Sequence, residues 1–278
     1  MQDLKKFILS ALAEDIGNGD FTTLSTVPVE NTGEAICWVK EDCMLAGVEI
    51  AIEICKIVDS NLIVQFINKD GDLINAPQQI GTIRGSIHSI LKLERLLLNC
   101  MQRMSAIATK TYQMVQLLAP YKTQILDTRK TTPNFRIAEK WAVKIGGGVN
   151  HRFGLYDQIL IKDNHIQAAG GVQKALDACS KYTKENKLFL PIIVEVKNRE
   201  EFIVAAKSDF VDRILVDNFS PLAIKELMDE KICTKPIEAS GGINASNVEA
   251  YAKAGVDYVS MGDLTHHVQS IDISLKIV

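Results

Sequence analysis

The sequence lacks several features that would place a protein in a functional class at once. It has no run of about 18 apolar residues, the length that a membrane-spanning helix needs. Its six cysteines form no CxxC pair and no zinc-type spacing, so we expect small buried hydrophobic side chains in a reducing compartment. The GxSxG, P-loop and GxGxxG motifs are also missing, which leaves hydrolase, NTPase and Rossmann interpretations without their signatures.

A net positive charge is missing as well. The 278 residues carry a formal charge of −3, which argues against partners such as nucleic acids or membrane surfaces, because these need basic faces. Near the start, Leu4, Phe7, Ile8, Ala11 and Leu12 follow helical spacing, and Glu14 and Asp15 end the apolar run. This pattern favours an amphipathic first helix over a signal peptide, and we expect a cytosolic protein.

Positive charge is nevertheless concentrated in one segment, Asp127 to His165. It holds seven Lys/Arg against four Asp/Glu, whereas the rest of the chain holds twenty-four against thirty. A solvated helix face is the ordinary explanation of such a run. Because several of these charges lie beside strand ends and glycines, we favour a pocket that binds a small polyanion.

The order of predicted elements indicates an α/β protein of two domains. Short strands at 35–40 and 62–68, a helix at 48–58 and a further strand near 81–87 predict an N-terminal α+β domain with a mostly antiparallel sheet. A long helix at 89–119 would bridge to the second domain. The expected boundaries are 1–110 for the first domain with this helix, 111–268 for the second, and 269–278 for a C-terminal segment that could return to the first.

The second domain alternates strand and helix, which predicts an open or closed α/β barrel of parallel strands. The expected strands are 124–128, 158–163, 191–196, 213–218, 236–240 and 257–262. The helices expected between them are 133–145, 168–185, 200–206, 221–229 and 244–254. Chemistry in such barrels lies at the C-terminal ends of the strands, and each of these strands ends in a polar or glycine-rich group.

Those strand ends supply the candidate site residues. Ser240, Gly241 and Gly242 precede a helix expected near Asn244, and with Gly262 they suggest a phosphate site, although a simple turn is the alternative. Glu195 and Asp217 could hold ribose hydroxyls or Mg²⁺, provided that Ser220 rather than Asp217 caps the next helix. The cationic candidates are Arg129, Lys130, His151, Arg152 and Lys162. No histidine pair has metal-ligand spacing, and His88 and His266 are expected at the surface or as hydrogen-bonded core residues.

The long motifs of the chain resemble those of the quinolinate phosphoribosyltransferase family. They include EDIGNGDFTT, LERLLLNCMQRMSAIAT, LDTRKTTPNFR, GGGVNHRFGLYDQILIKDNHI, LVDNF, EASGGI and GVDYVSMGDLTH, and they span essentially the whole length. The resemblance implies that quinolinate and 5-phosphoribosyl 1-diphosphate react to give nicotinate mononucleotide, diphosphate and CO₂, in the de novo synthesis of NAD. It implies Mg²⁺ carried by the diphosphate substrate and no organic cofactor.

The resemblance also implies roles for individual residues. Arg129, His151, Arg152 and Lys162 would line the quinolinate site, and Arg95 would reach it from a neighbouring subunit of at least a dimer. Lys130 would face the diphosphate, Glu195 and Asp217 would contact ribose, and Asp217 would reach the metal through the diphosphate. Lys130, Lys162, Glu195 and Asp217 would take part in the chemistry. The remaining substrate contacts would come from Thr128, Ser240, Gly241, Gly242, Met261 and Gly262.

One departure and three alternatives stay open. The family often has a VEVE pattern where this chain reads VEVKN, so either Glu195 carries the acidic role alone, or Lys197 bonds a phosphate or a helix end. The first alternative is the molybdenum-associated paralogue of the same family. The second is a phosphosugar lyase or aldolase on the same barrel, with Lys162 as a Schiff base. The third is a barrel that binds metabolites without turning them over.

Overall fold

The computed structural model describes residues 2–278, with side chains from Asp3 onward. These residues form two compact units. Unit 1 contains the chain up to Tyr112 together with Thr131–Gly147 and Leu264–Val278, and unit 2 contains Gln113–Lys130 and Gly148–Asp263. The boundaries at 110, 268 and 278 drawn from the sequence stay a prediction.

Unit 1 combines helices with short antiparallel strands. Its helices are α1 (Gln2–Ile16), α2 (Phe21–Thr26), α3 (Val48–Val58), most of α4 (Ile87–Leu118) and α5 (Arg136–Ile145). Its strands are β1 (Thr32–Val39), β2 (Cys43–Met44), β3 (Ile63–Phe66), β4 (Leu73–Ile74), β5 (Gln78–Ser86) and β12 (Ile273–Ile277).

The main sheet of unit 1 has the order β12-β1-β5-β3, and its neighbouring strands pair antiparallel. In β1 the residues Ala35, Cys37 and Val39 are buried and alternate with half-exposed ones, as expected for a sheet with one face on the core. β2 and β4 form a separate antiparallel pair. The antiparallel sheet predicted for the N-terminal part is therefore confirmed.

A buried ion pair joins α4 to α5 inside unit 1. Glu139 is fully buried, and its carboxylate accepts from Arg103 Nε at 3.1 Å and from the Thr132 hydroxyl at 2.8 Å. Arg103 also donates to the carbonyl oxygen of Thr265. A buried carboxylate is stable only when it is paired and hydrogen-bonded in this way. The pair therefore holds the segment that precedes α5 against the long helix.

Unit 2 alternates strand and helix along the chain. Its strands are β6 (Gln124–Leu126), β7 (Ile159–Ile161), β8 (Ile192–Val196), β9 (Arg213–Asp217), β10 (Ile237–Ser240) and β11 (Tyr258–Ser260). Its helices are α6 (Asp163–Ala169), α7 (Val172–Glu185), α8 (Arg199–Lys207), α9 (Pro221–Asp229) and α10 (Val248–Lys253). The short helix α11 (Asp263–His266) begins at Asp263, which is the last residue of unit 2.

The six strands of unit 2 form one parallel sheet in the order β6-β11-β10-β9-β8-β7. The first two strands in sequence, β6 and β7, lie at its opposite edges, which is the strand order of an open α/β barrel. The interior of the sheet includes a buried apolar cluster of Leu160, Ile193 and Leu215 from three adjacent strands. The α/β class and the parallel second sheet are both confirmed.

Two helices of unit 2 differ from those expected. The helix predicted at 168–185 corresponds to α7 and begins only at Val172, because Gly170 and Gly171 have φ angles of 82° and 126° that a right-handed helix does not adopt. The helix α6, which precedes these glycines, was not predicted. The helix expected near Asn244 begins only at Val248. The Asn244 side chain accepts the Ser246 N–H at 2.9 Å, which stabilises a turn in place of a first helical turn.

In the described chain no helix is long and apolar enough to cross a membrane. The six cysteines are unpaired within the same residues. Cys37, Cys43, Cys55 and Cys100 are buried as predicted, and burial raises the pKa of the Cys100 thiol to about 12. The prediction is wrong for Cys179 and Cys233, which are only half-buried.

Candidate active site

The alternation of the parallel strands brings four predicted site residues to one rim of unit 2. Lys162, Glu195, Asp217 and Ser240 each lie two positions after an interior residue of β7, β8, β9 or β10. Successive side chains of a strand point to opposite faces, so these four extend the interior face at the C-terminal edge of the sheet. The register pairs Ser240 directly with Asp217. The convergence predicted from the strand ends is therefore present.

Ion pairs connect the charges of this rim. Lys162 Nζ lies 3.3 Å from Glu195 Oε2, and the backbone N–H of Asp163 donates to the other oxygen of Glu195 at 3.4 Å. Lys197 lies two residues after Glu195, and its Nζ lies 2.5 Å from Asp163 Oδ2. The hydrogen bond with Asp163 raises the pKa of Lys197. The lysine at the often acidic position thus contacts the first residue of α6.

Asp217 is the rim carboxylate with the most perturbed environment. Burial raises its pKa, and the negative charge of Glu195 raises it further, whereas Lys162 and Lys197 act in the opposite direction. Its Oδ2 accepts from the Asn218 side chain at 2.7 Å. Ser220 caps α9 through a bond from the Ala223 N–H at 3.1 Å, as predicted, so the helix does not require Asp217.

Arginines contribute positive charge to the same unit in two environments. Arg129 and Lys130 follow β6 and are exposed, and the Thr128 hydroxyl accepts the Lys130 backbone N–H at 3.0 Å. Arg152 is only 9% exposed, and its guanidinium donates to the carbonyl oxygen of Gln158 at 3.3 Å. Burial lowers the pKa of Arg152, and the like charge of Arg129 lowers it further. A buried guanidinium beside a second arginine is a site that an anion would stabilise.

His151 lies beneath this rim and not on its open surface. Its backbone N–H donates to the buried Asp127 at 2.8 Å, and Asp127 also accepts from the Asn150 side chain at 2.6 Å. The ring accepts the Arg152 backbone N–H at Nδ1, 2.7 Å away. Its Nε2 lies 3.4 Å from Glu238, which is fully buried. A substrate contact of His151 stays a prediction.

The Ser240–Gly242 segment forms the tight turn that was expected after β10. Gly241 has φ of 100°, and a Cβ there would lie 2.3 Å from Asn218 Oδ1 and 2.8 Å from the Asn218 backbone nitrogen. Asn218 in turn donates its N–H to the Ser240 carbonyl at 2.9 Å. After β11, Met261 is buried and its N–H donates to Leu126, and Gly262 follows it. The backbone is therefore packed closely around this turn.

The contribution of a helix N-terminus to phosphate binding at this turn is not supported. The helix expected near Asn244 starts at Val248 and is only six residues long. Any phosphate contact would come from the backbone of the turn itself.

Alanine at Gly241 is expected to disturb this turn far more than alanine at Gly242. Gly242 also has a positive φ, of 62°, but no atom lies within 4 Å of the position that an alanine methyl group would take there. We expect Gly242→Ala to cost about 1 kcal/mol of the free energy of unfolding, the usual cost of a left-handed residue. Gly241→Ala must also displace Asn218 and should therefore cost more of this free energy than Gly242→Ala. Thermal unfolding of both variants measures this, and equal effects would contradict it.

Arg95 belongs to unit 1. It lies on α4, is exposed, and lines a groove of about 900 Å³ together with Lys6, Asn99 and Arg103. His88 Nε2 lies 2.9 Å from the Val27 carbonyl oxygen, and His266 is exposed, so His88 is hydrogen-bonded and His266 is a surface residue, as expected. Among the described residues, no group of three or more His, Cys, Asp or Glu side chains could hold a metal.

Sequence patterns miss two functional candidates in this unit. Asp127 belongs to a strand end by its pattern, whereas the structure shows that it organises the loop that carries His151. Glu238 is the first residue of the EASGGI motif, but the resemblance implies no role for it, although it is a carboxylate inside an otherwise apolar strand and lies on the same face as Ser240. The sequence could have indicated a buried contact, because an acidic side chain on the interior face of a strand needs a buried partner.

Comparisons with known proteins agree along the whole chain. The family model described as quinolinate phosphoribosyl transferase, C-terminal domain, matches residues 107–276, and the N-terminal domain model matches residues 20–105. Quinolinate phosphoribosyltransferase (decarboxylating) 2b, mitochondrial, of Nicotiana tabacum is 41% identical over 290 residues, covering 99% of this chain and 82% of the relative. The probable nicotinate-nucleotide pyrophosphorylase (carboxylating) of Bacillus subtilis is 39% identical over 274 residues, covering 99% and 93%. The solved nicotinate-nucleotide pyrophosphorylase of Francisella tularensis is similar with a TM-score of 0.90 and 37% identity, covering 100% of this chain and 96% of that one.

Proposed function

Because the chain belongs to the quinolinate phosphoribosyltransferase family, we propose that it transfers phosphoribosyl from 5-phosphoribosyl 1-diphosphate to quinolinate with loss of CO₂. The products are nicotinate mononucleotide and diphosphate, and the reaction supplies the de novo synthesis of NAD. The observation that carries the proposal is the buried guanidinium of Arg152 beside Arg129 at the rim of a parallel sheet. Such a pair of cations suits a small dianion.

Quinolinate binds, in this proposal, through its two carboxylates. Arg152 would offer a buried planar fork, while Arg129 and Lys162 would offer exposed positive charge. An arginine fork binds a carboxylate in a fixed orientation, whereas a lysine acts as a point charge. This arrangement would fix the plane of the pyridine ring and the direction of its nitrogen.

The sugar phosphate occupies the neighbouring strand ends. Ser240, Gly241 and Gly242, with Gly262, would hold the 5-phosphate through backbone N–H groups and the serine hydroxyl. Met261, whose N–H donates to Leu126, would take part through its place next to Gly262. Glu195 and Asp217 would accept hydrogen bonds from the ribose hydroxyls. Thr128 and Lys130 would face the diphosphate. The Lys130 backbone N–H donates to the Thr128 hydroxyl at 3.0 Å, which holds the two residues together.

A Mg²⁺ ion fits this part of the rim. Asp217 is a half-buried carboxylate, and its pKa is raised by burial and by the negative charge of Glu195. A divalent cation nearby would therefore stabilise the ionised carboxylates of both Asp217 and Glu195. Two carboxylates are also what Mg²⁺ commonly uses, with the other ligands supplied by substrate phosphates and water. When bound, the ion would neutralise part of the charge on the departing diphosphate.

The chain's own residues would then act by positioning and electrostatics. The C–O bond to diphosphate breaks through an oxocarbenium-like state, and the pyridine nitrogen forms a bond to the anomeric carbon. The carboxylate next to the nitrogen leaves as CO₂, and its bonding electrons stay on a carbon that the cationic ring stabilises. A proton from solvent completes the product. Lys130 would offset charge on the diphosphate, and Arg152 would hold the second carboxylate.

Arg95 and the location of the protein complete the proposal. We place Arg95 in the quinolinate site of a second copy of the chain, because it is exposed on α4 within a groove that already holds Lys6 and Arg103. A symmetric dimer would then contain two shared sites.

A cytosolic location is part of the same proposal and is supported by unpaired cysteines in the described residues.

An optical assay tests the proposed reaction. Purified protein is mixed with quinolinate, 5-phosphoribosyl 1-diphosphate and Mg²⁺, and nicotinate mononucleotide is followed by its ultraviolet absorbance. We expect nucleotide, diphosphate and CO₂ in equal amounts, and a large loss of rate when Mg²⁺ is omitted. Binding of both substrates without nucleotide formation would contradict the proposal.

The acid limb of the pH profile should report Asp217. Because its pKa is raised, kcat/KM should fall at a higher pH than for an ordinary aspartate of about 3.9. Glu195→Gln removes a charge that raises this pKa, so the limb should move to lower pH. Lys197→Met removes a charge that lowers it, so the limb should move to higher pH. Shifts in the same direction in both variants would show that another group titrates.

A further inference from the structure

Glu238 stands out in the interior of unit 2. It lies on β10, level with Leu215 of β9 and Tyr258 of β11, and none of its surface is exposed. Its neighbours in this interior layer include the apolar cluster that contains Leu160 and Ile193. A carboxylate in such a layer is destabilising unless other groups compensate it. The groups that lie against it therefore indicate why it is there.

Two basic side chains lie on either side of Glu238. Arg213 Nη1 lies 3.4 Å from one carboxylate oxygen, and the guanidinium also stacks 4.7 Å from the ring centroid of Tyr258. His151 Nε2 lies 3.4 Å from the other oxygen. Neither oxygen has a hydrogen bond of good geometry among the described residues. Arg213 supplies the compensating charge, and the carboxylate remains an acceptor for the histidine.

The other nitrogen of His151 decides which tautomer is present. Its Nδ1 accepts the backbone N–H of Arg152 at 2.7 Å, so this nitrogen carries no proton. The proton of a neutral ring must then be on Nε2, which faces Glu238. The side chain is 7% exposed, and both of its ring nitrogens face protein groups.

We propose that Glu238 is a positioning residue for substrate binding by Arg152. Its carboxylate holds His151 as the Nε2–H tautomer, and the ring holds the backbone of Arg152 through Nδ1. Asp127 fixes the same loop from the other side through the His151 N–H. The proposal rests on the proposed function, because it assigns Arg152 to the quinolinate site. It gives His151 a supporting role in addition to the substrate contact that the resemblance implies.

The kinetic test uses two variants of the same buried pair. Glu238→Gln keeps the shape but removes the charge that fixes the ring, and Arg213→Lys keeps the charge on the far side of the carboxylate. We expect Glu238→Gln to raise the KM for quinolinate about tenfold, the size of the loss of one hydrogen bond, with little change in the KM for 5-phosphoribosyl 1-diphosphate. Arg213→Lys should lower the thermal midpoint without this selective rise. An equal rise in both variants, or none in Glu238→Gln, would overturn the proposal.

A spectroscopic test on the wild-type protein does not depend on turnover. Two-bond proton–nitrogen correlation spectra of protein labelled with ¹⁵N-histidine distinguish the two tautomers, and His151→Gln identifies the signals of this ring among the five histidines. We expect an unprotonated Nδ1 and a protonated Nε2 in the wild-type protein. A protonated Nδ1 would overturn the proposal even if the enzyme is active. The expected tautomer in a protein without activity would instead contradict only the proposed function.

Discussion

Replacing Arg152 with alanine is expected to reduce kcat/KM for quinolinate by roughly two to three orders of magnitude, since opening a buried charged pair costs about 2–5 kcal/mol. The loss should be this large because Arg152 is only 9% exposed and its charge is already destabilised by Arg129. Its removal takes a desolvated fork from the site, whereas Arg129→Ala removes an exposed one. Steady-state kinetics with quinolinate as the varied substrate measure both.

Two control variants make this result specific. Arg152→Lys keeps the charge but not the planar fork, so it should recover only part of the loss. Arg199→Ala removes an exposed arginine of the same unit that pairs with Glu230 on the surface, so its kinetics should match the wild-type protein. Unchanged kinetics in Arg152→Ala, or an equal loss in Arg199→Ala, would refute the assignment of Arg152.

Mixing two inactive variants is expected to restore activity if Arg95 acts in the site of a second copy. Arg95→Ala and Arg152→Ala should each be nearly inactive alone. In a mixed dimer, one site would combine an intact Arg152 from one chain with an intact Arg95 from the other. Random exchange of subunits in a symmetric dimer should therefore recover about a quarter of the wild-type rate.

The matched control mixes Arg152→Ala with Lys162→Ala. Both lesions lie in unit 2, so every site of a mixed dimer keeps one of them and no activity should return. Native mass spectrometry verifies that mixed dimers form in each experiment. Mixed dimers of Arg95→Ala and Arg152→Ala that remain inactive would show that Arg95 does not complete a neighbouring site.

Much of the fold could be predicted because its signals are local. The strands of unit 2 are short runs rich in Ile, Leu and Val, such as Ile192–Val196, bounded by polar groups, and they occur where the pattern places them. The start of α7 was predicted too early, at 168, because apolar spacing was followed past Gly170 and Gly171, although a Gly-Gly pair marks a turn. Local patterns therefore predict the element types more reliably than their ends.

The site divides in the same way. Lys162, Glu195, Asp217 and Ser240 were predictable because strand ends of a parallel sheet gather at one edge. The role of Glu238 was not predictable, because it depends on the contact with His151, which is distant in the chain and adjacent only in the fold. The place of Lys197 against Asp163 also depends on two separate strand ends. Pairwise contacts of this kind are absent from composition and periodicity.

A crystal structure of the protein with quinolinate bound tests the central claim most directly. We expect the two carboxylates to lie within hydrogen-bond distance of Arg129, Arg152 and Lys162, with the ring nitrogen directed toward the turn at Gly241. Quinolinate bound elsewhere, with these three side chains pointing into solvent, would contradict the account.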